Sequence, residues 1–189
     1  MSNGIRETDK LVLFWGGWPS QWHKARFVVD GAEFNCCEQY MMAEKAAVFG
    51  DAEAHGRILA ASNPKQQKAI GRQVRGFDED VWNSVCRGIV YTGNLARFEQ
   101  NAEMRAELLA TGDKTIVEAS PTDRIWGIGL AQDDDRALDP AQWQGTNWLG
   151  VALMQVRQTL RGDGVGAEES DRDLAKQLAA RDALRLRAG

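Results

Sequence analysis

The sequence predicts a mainly helical α+β fold with a small β element, and three features predict it. Stretches of good helix formers dominate the chain between short Gly, Pro and Asn breaks. Apolar runs of strand length are few, the clearest being Leu11–Phe14 and Thr115–Ala119. Asp30-Gly31 is a tight-hairpin signal between two more short segments.

In order, residues 1–10 read as a mobile tail. Leu11–Phe14 is a short strand, followed by the turn-prone Gly16-Gly17-Trp18-Pro19. Ala25–Val29 and a segment near Glu33–Asn35 are the arms of the hairpin. Glu38–Phe49 holds Glu, Met, Ala and Lys without Gly or Pro, which predicts a helix ended by Gly50-Asp51. Asp51–Ala61 is a further helix, closed by Ser62-Asn63-Pro64, whose proline can occupy the first turn of the next. Lys65–Val74 is helical, and Asp78–Tyr91 carries Val81, Trp82, Val85 and Ile89 at near-helical spacing. Gly93-Asn94 reads as a break before a helix over Leu95–Thr111, with Gly112 as its C-cap residue. Thr115–Ala119 is a β-branched strand stopped by Pro121, and residues 131–146 form a loop rich in Asp, Gln and Pro. Asn147–Leu160 is a core helix with Leu149, Leu153, Val156 and Leu160 on one side. Residues 162–166, Gly-Asp-Gly-Val-Gly, suit a linker. Ser170 with Asp173 then opens a charged helix read as an appendage. The expected organisation is a tail over 1–10, one domain over 11–161, and a linker with a charged helix over 162–189.

The 189 residues fit about one domain with a core of its own. A net charge of −4 argues against a generic nucleic-acid binder, which must neutralise phosphates along its footprint. Three cysteines, two of them adjacent and none in a CxxC, fit a reducing compartment. The polar start Met1–Lys10 is no signal peptide, and no apolar run approaches the ~20 residues of a membrane span. A soluble cytoplasmic protein without membrane contact is expected. Seven tryptophans suit either a well-filled core or a stacking surface for flat ligands.

Much chemistry is excluded. His23 and His55 are the only histidines and no HExxH occurs, so no metal site is expected. The phosphate loop GxxxxGK[ST], the nucleophile elbow GxSxG and the dinucleotide fingerprint GxGxxG are all missing.

Three constellations remain. Glu38 and Lys45 are seven apart, ~700° around a helix, which leaves them ~20° from alignment and able to face one pocket. A carboxylate there handles protons or steadies an oxocarbenium-like centre, and a desolvated lysine attacks an electrophilic sugar carbon. By spacing alone the plainer reading is the stronger: a surface lysine and a first-turn Glu that complements the helix dipole. The second constellation runs from Glu118 through Ser120, Asp123 and Trp126 to Gly129, a strand end feeding a Pro-bounded loop. Gly127 and Gly129 permit close backbone approach to a ligand and Trp126 can stack on a base or sugar, although a plain turn with a core tryptophan fits too. The third is basic, Lys65, Lys68, Arg72 and Arg75 at spacings of 3, 4 and 3, which places them on one helical stripe. Arg binds phosphate bidentately, while a solvated face is the default. Trp82 by pattern is a core residue, and Cys36-Cys37 read as buried and inert.

At these residues the chain resembles the YbiA-like proteins, the NADAR family, from about Leu13 to Leu160. The landmarks are Phe34-Asn35-Cys36-Cys37-Glu38-Gln39-Tyr40-Met41-Met42-Ala43-Glu44-Lys45-Ala46, Gly71-Arg72-Gln73-Val74 with Phe77-Asp78, and Val81-Trp82. Further landmarks are Phe98-Glu99-Gln100-Asn101, Leu108–Gly112, Val117–Ser120, Asp123–Gly129, and Trp143 to Asn147 with Leu149-Gly150. Cys37 stands where many relatives have Ser or Thr, and Ile128 replaces the Asp of the bacterial WGDG form.

The resemblance implies a compact, mostly helical domain and hydrolysis of N-glycosidic bonds, without metal or redox cofactor. The implied substrate is a phosphorylated ribosyl or ADP-ribosyl compound: a riboflavin-pathway intermediate, or ADP-ribosyl guanine in a free nucleotide or a nucleic acid. Glu38, Lys45 and Asp123 are the implied catalytic set, with Lys45 matching the lysine of covalent chemistry. Trp82 and Trp126 match residues held important in the family, either of which is expected to stack on the base, and Ser120, Gly127, Gly129 and Asn147 complete the expected binding set. Arg72 is added here as the phosphate ligand. A binding module for ADP-ribose or NAD without catalysis is the alternative.

Overall fold

The computed structural model describes residues 4–162 and 169–188, so most of the expected linker lies outside the described residues. Its elements are β1 (Ile5–Glu7), β2 (Leu11–Phe14), β3 (Phe27–Val29), β4 (Ala32–Phe34), α1 (Cys37–Val48), α2 (Ala52–Ala60), α3 (Pro64–Gly71), α4 (Glu79–Asn83), α5 (Cys86–Gln100), α6 (Ala102–Ala110), β5 (Thr115–Glu118), α7 (Trp148–Arg161) and α8 (Glu169–Ala188). The expected α+β class is thus observed. The chain divides into two units, Met1–His23 with Ala102–Val165, and Lys24–Asn101 with Gly166–Gly189.

The first unit is built on a three-stranded sheet in the order β1-β2-β5. β2 runs parallel to β5 with Leu11 opposite Thr115 and Phe14 opposite Glu118. All four β2 residues are buried, the pattern of a central strand covered on both faces. β1 pairs antiparallel to β2, so the stretch expected as a mobile tail contains an edge strand. Thr8 closes that corner: its backbone N–H donates to Leu11 O and its Oγ1 accepts from Leu11 N, both at 2.9 Å. The loop over 131–146 contains two 3-10 turns, each opened by an aspartate side chain, Asp134 and Asp139. Through it Ile128, Leu130 and Ala137 join Leu11, Leu13 and Val117 in one apolar cluster.

The second unit holds the hairpin β3-β4, with Phe27 opposite Phe34. Asp30 (φ 51°) and Gly31 (φ 80°) supply the two left-handed residues that a tight hairpin turn demands. α1 is buried along nearly its whole length and packs on α2, α3 and α5. Two expectations fail here. The helix expected over Asp78–Tyr91 is divided, α4 ending at Asn83 and α5 beginning at Cys86. α5 then runs through the expected break at Gly93-Asn94. Gly93 sits against Tyr40, where a Cβ would come 2.4 Å from the ring, and Asn94 donates from Nδ2 to Val90 O at 2.8 Å. Both residues that look like a breaker serve close packing inside the helix.

Candidate functional site

Each unit carries part of the sequence-derived site. In the second, Glu38 and Lys45 occupy the first and last turns of α1, about 10 Å apart along its axis. Glu38 is 2% exposed and Lys45 half-buried, so neither is a plain surface residue. Lys45 Nζ lies 4.0 Å from the centroid of the Phe77 ring and 5.7 Å from that of Trp82. Both are within cation–π range, which favours the ammonium form. Burial acts in the opposite direction and lowers the Lys45 amine below the ordinary lysine value. Desolvation thus works toward the neutral amine, the form that can act as a nucleophile.

Phe77 is the aromatic missing from the sequence-derived site, where it enters only as a landmark. It is 45% exposed and rests edge-on against Phe49 at 5.3 Å. It lies on the α3–α4 connection, which turns at Gly76 (φ 71°). Trp82, expected as core, is half-buried on α4, whose start is capped by Asp78 Oδ1 accepting from Val81 N at 2.9 Å.

The basic stripe forms only in part. α3 ends at Gly71; its cap residue Arg72 keeps a helical backbone and donates from N to Lys68 O at 3.0 Å, so it extends the stripe of Lys65 and Lys68, whereas Arg75 lies beyond it. Arg75 is committed to Asp51, which accepts from its backbone N (2.9 Å), Nη2 (2.8 Å) and Nε (3.3 Å). Arg72 is exposed, five residues before Phe77.

In the first unit, the loop after β5 is held by its own backbone. Asp123 Oδ1 accepts from Ile125 N (2.9 Å) and Trp126 N (2.8 Å), while its carbonyl accepts from Gly129 N (3.0 Å). Gly129 has φ +70°. A Cβ on Gly127 would come 2.7 Å from Glu118 O, so the glycine serves the fold of the loop directly. Trp126 is half-buried and stands edge-on to Trp148 at 5.8 Å. Ser120 is 5% exposed and Asn147 2%. The Asn147 amide is taken up by β5: Oδ1 accepts from Glu118 N and Nδ2 donates to Ile116 O, both at 2.9 Å. Asn147 therefore fixes the loop to the sheet with both ends of its side chain.

None of the seven tryptophans is fully buried, and Trp143 packs against the apolar cluster of the first unit with its Nε1 donating to Ala137 O at 3.0 Å. The cysteines are buried free thiols. Burial pushes Cys37 up to about 12 and Cys86 up to about 11, which leaves them no thiolate chemistry at neutral pH. Among the described residues, no group of three or more His, Cys, Asp or Glu is arranged to hold a metal ion. No described helix is long and apolar enough to cross a membrane.

Comparison with known proteins agrees with these landmarks. The family model of the NADAR domain matches residues 13–161. An N-glycosidase of Acanthamoeba polyphaga mimivirus is 41% identical, covering 80% of this chain and 97% of that protein. Protein irg-1 of Caenorhabditis elegans is 42% identical over 68% of this chain and 61% of its own length. N-glycosidase YbiA of Escherichia coli is 33% identical over 70% of this chain and 74% of its own. The NMR structure of the Escherichia coli protein YbiA superposes with a TM-score of 0.69 at 27% identity, covering 89% of this chain and 95% of that one.

Proposed function

The chain belongs to the NADAR domain family, and we propose that it is an N-glycosidase that hydrolyses the N-glycosidic bond of a phosphorylated ribosyl or ADP-ribosyl substrate. The observation that carries this reading is the Lys45 amine, desolvated and flanked by two aromatic faces. The relatives named as N-glycosidases support the reaction class.

In the proposed reaction the neutral Nζ of Lys45 attacks C1 of the ribose. The Nζ–C1 bond forms, the C1–N bond to the base breaks, and the base leaves with a proton supplied by a carboxylic acid. The nitrogen lone pair then opens the sugar ring, whose oxygen takes up the proton lost from Nζ, and an iminium remains. Water adds to C1 and expels Lys45, which regains its amine. Glu38, buried on the same helix, is the proposed proton carrier. Asp123 is the second carboxylate of the proposal, its loop conformation fixed by two backbone donors. Trp82 or Trp126 stacks on the base and Arg72 holds phosphate. Ser120, Gly127, Gly129 and Asn147 shape the binding loop.

Incubation with ADP-ribosylated DNA and with a phosphoribosylated riboflavin-pathway intermediate, with released base read by chromatography, tests the reaction. Borohydride added during turnover is expected to leave a reduced sugar adduct on Lys45 by mass. Base release without that adduct removes the iminium step. Binding of ADP-ribose that survives Lys45→Ala, with no base released by the unaltered protein, replaces the enzyme by a binding module.

A further inference from the structure

α8 lies outside the residues that the family model matches, yet it packs on α5 and α1 in the second unit, and Gln177 is one of its hydrogen-bonded ties there. Gln177 is 3% exposed and its amide spans two helix ends. Nε2 donates to Asn83 O at 2.7 Å, and Oε1 accepts from Arg87 N at 3.2 Å. Asn83 ends α4, so its carbonyl is one that a helix leaves without an internal partner. Arg87 stands in the first turn of α5, whose cap residue Val85 provides no side-chain bond. One side chain from a third helix thus caps both ends. The approach is close because residue 88 is glycine: a Cβ there would lie 3.1 Å from Gln177 C and from Leu178 N. Asp173 Oδ2 reaches Arg87 Nε at 2.9 Å one turn away.

α4 needs such a link. It has five residues and buries none of them, and so short a helix has no stability of its own. Its position is set at its ends, by the Asp78 cap at the start and by Gln177 at the finish. Trp82 is the residue before Asn83, and its ring faces Lys45 Nζ.

We propose that Gln177 is a positioning residue that holds the Trp82 ring over Lys45, which makes α8 part of the substrate-binding apparatus. The proposal rests on the assignment of Trp82 as a base-stacking wall. An appended helix then contributes to how tightly the base is bound without touching it.

Indole 1H–15N spectra of the full-length protein test this directly. The Trp82 signal is identified by its loss in Trp82→Phe. Gln177→Ala is expected to shift it. Gln177→Glu, which keeps the acceptor for Arg87 but loses the donor to Asn83, is expected to shift it as well. Asp173→Asn loosens α8 away from α4 and is expected to lower Tm while leaving the Trp82 signal in place. In base release from ADP-ribosylated DNA, both Gln177 variants are expected to raise KM three- to tenfold with kcat within twofold, and Asp173→Asn to leave KM unchanged. A Trp82 signal that stays put in Gln177→Glu, or moves equally in Asp173→Asn, overturns the proposal. If the unaltered protein releases no base, the glycosidase reading fails and the indole spectra alone decide the role of Gln177. Should Gln177→Ala fail to fold, Gln177→Glu carries the test.

Discussion

Asp51 binds Arg75 through three N–H groups, from the backbone N, Nε and Nη2, while its Oδ1 also caps α2 by accepting from Ala54 N. One buried carboxylate therefore ties the start of α2 to the segment that presents Phe77 two residues further on. The Arg75 guanidinium holds the Asp51 carboxyl well below the usual carboxylate range.

That depression fixes the sign of a pH effect. A carboxylate whose folded value lies below its unfolded value of about 3.9 contributes stability that is complete above that value. The contribution is lost as pH falls through the folded value. Asp51→Asn keeps an N-cap acceptor and removes the charge. Its urea midpoint is expected below that of the parent at pH 7, with the gap narrowing steadily below about pH 4. A gap independent of pH is the contrary result. The freed segment is also expected to weaken the Phe77–Lys45 contact and raise KM.

The contact itself makes opposite predictions for two substitutions at one position. Phe77→Leu retains apolar cover over Lys45 but removes the π face that favours the ammonium. Because the neutral amine is the reactive form, the rising, acidic limb of the kcat/KM profile reports Lys45 and is then expected to move to lower pH. Phe77→Ala admits water, which relaxes the desolvation that lowers the amine, and is expected to move the limb toward the ordinary lysine value of about 10.4. Movement of both variants in the same direction removes Phe77 as the group that tunes Lys45.

Arg72 provides a test of the phosphate assignment. It is exposed at the C-terminal end of α3 and is free of the aspartate contact that holds Arg75. Charge-assisted hydrogen bonds of about 1.5–3 kcal/mol correspond to a roughly 10- to 150-fold loss. Arg72→Ala is expected to raise KM by about that factor for a phosphorylated substrate. Arg72→Lys recovers only part, since a lysine cannot form the bidentate fork. Arg75→Ala, by contrast, lowers stability and raises KM only indirectly and less, through the segment that carries Phe77. Equal effects of the two alanine variants on KM contradict the assignment.

How far the sequence reveals this molecule depends on which force decides each feature. Local signals decided α1, α2, α7 and the β3-β4 hairpin, whose formers, caps and left-handed turn residues act within a few positions. The course of α5 through Gly93-Asn94 was not legible, because a glycine that breaks a helix in isolation is required here by the Tyr40 ring from α1. β1 was hidden for a similar reason: three residues become a strand only by pairing with β2. Among candidate site residues, spacing placed Glu38 and Lys45 on one helix face but favoured the plainer reading until the family landmarks were added, and Arg72 was separable from Arg75 only once Asp51 was located. Phe77 and Gln177 carried no local signal, since each matters through a contact with a residue more than thirty positions away.

Asn147 separates a backbone requirement from a side-chain one. It combines φ +53° with two buried hydrogen bonds to β5. Asn147→Ala loses both bonds, leaves Glu118 N–H and Ile116 C=O without them at about 1–3 kcal/mol each, and retains a strained left-handed backbone. Asn147→Gly loses the same bonds but relieves the strain, worth about 1 kcal/mol. Both are expected to lower the urea midpoint, with alanine the worse of the two. If only the backbone mattered, glycine would match the parent to within about 0.5 kcal/mol. Asn147→Asp can still accept from Glu118 N but cannot donate to Ile116 O, and its buried charge places it nearer to alanine. Each variant keeps the backbone bond from residue 147 N to Gly127 O but loses at least one side-chain tie to β5, and is also expected to lower kcat/KM by loosening the loop that carries Asp123 and Trp126.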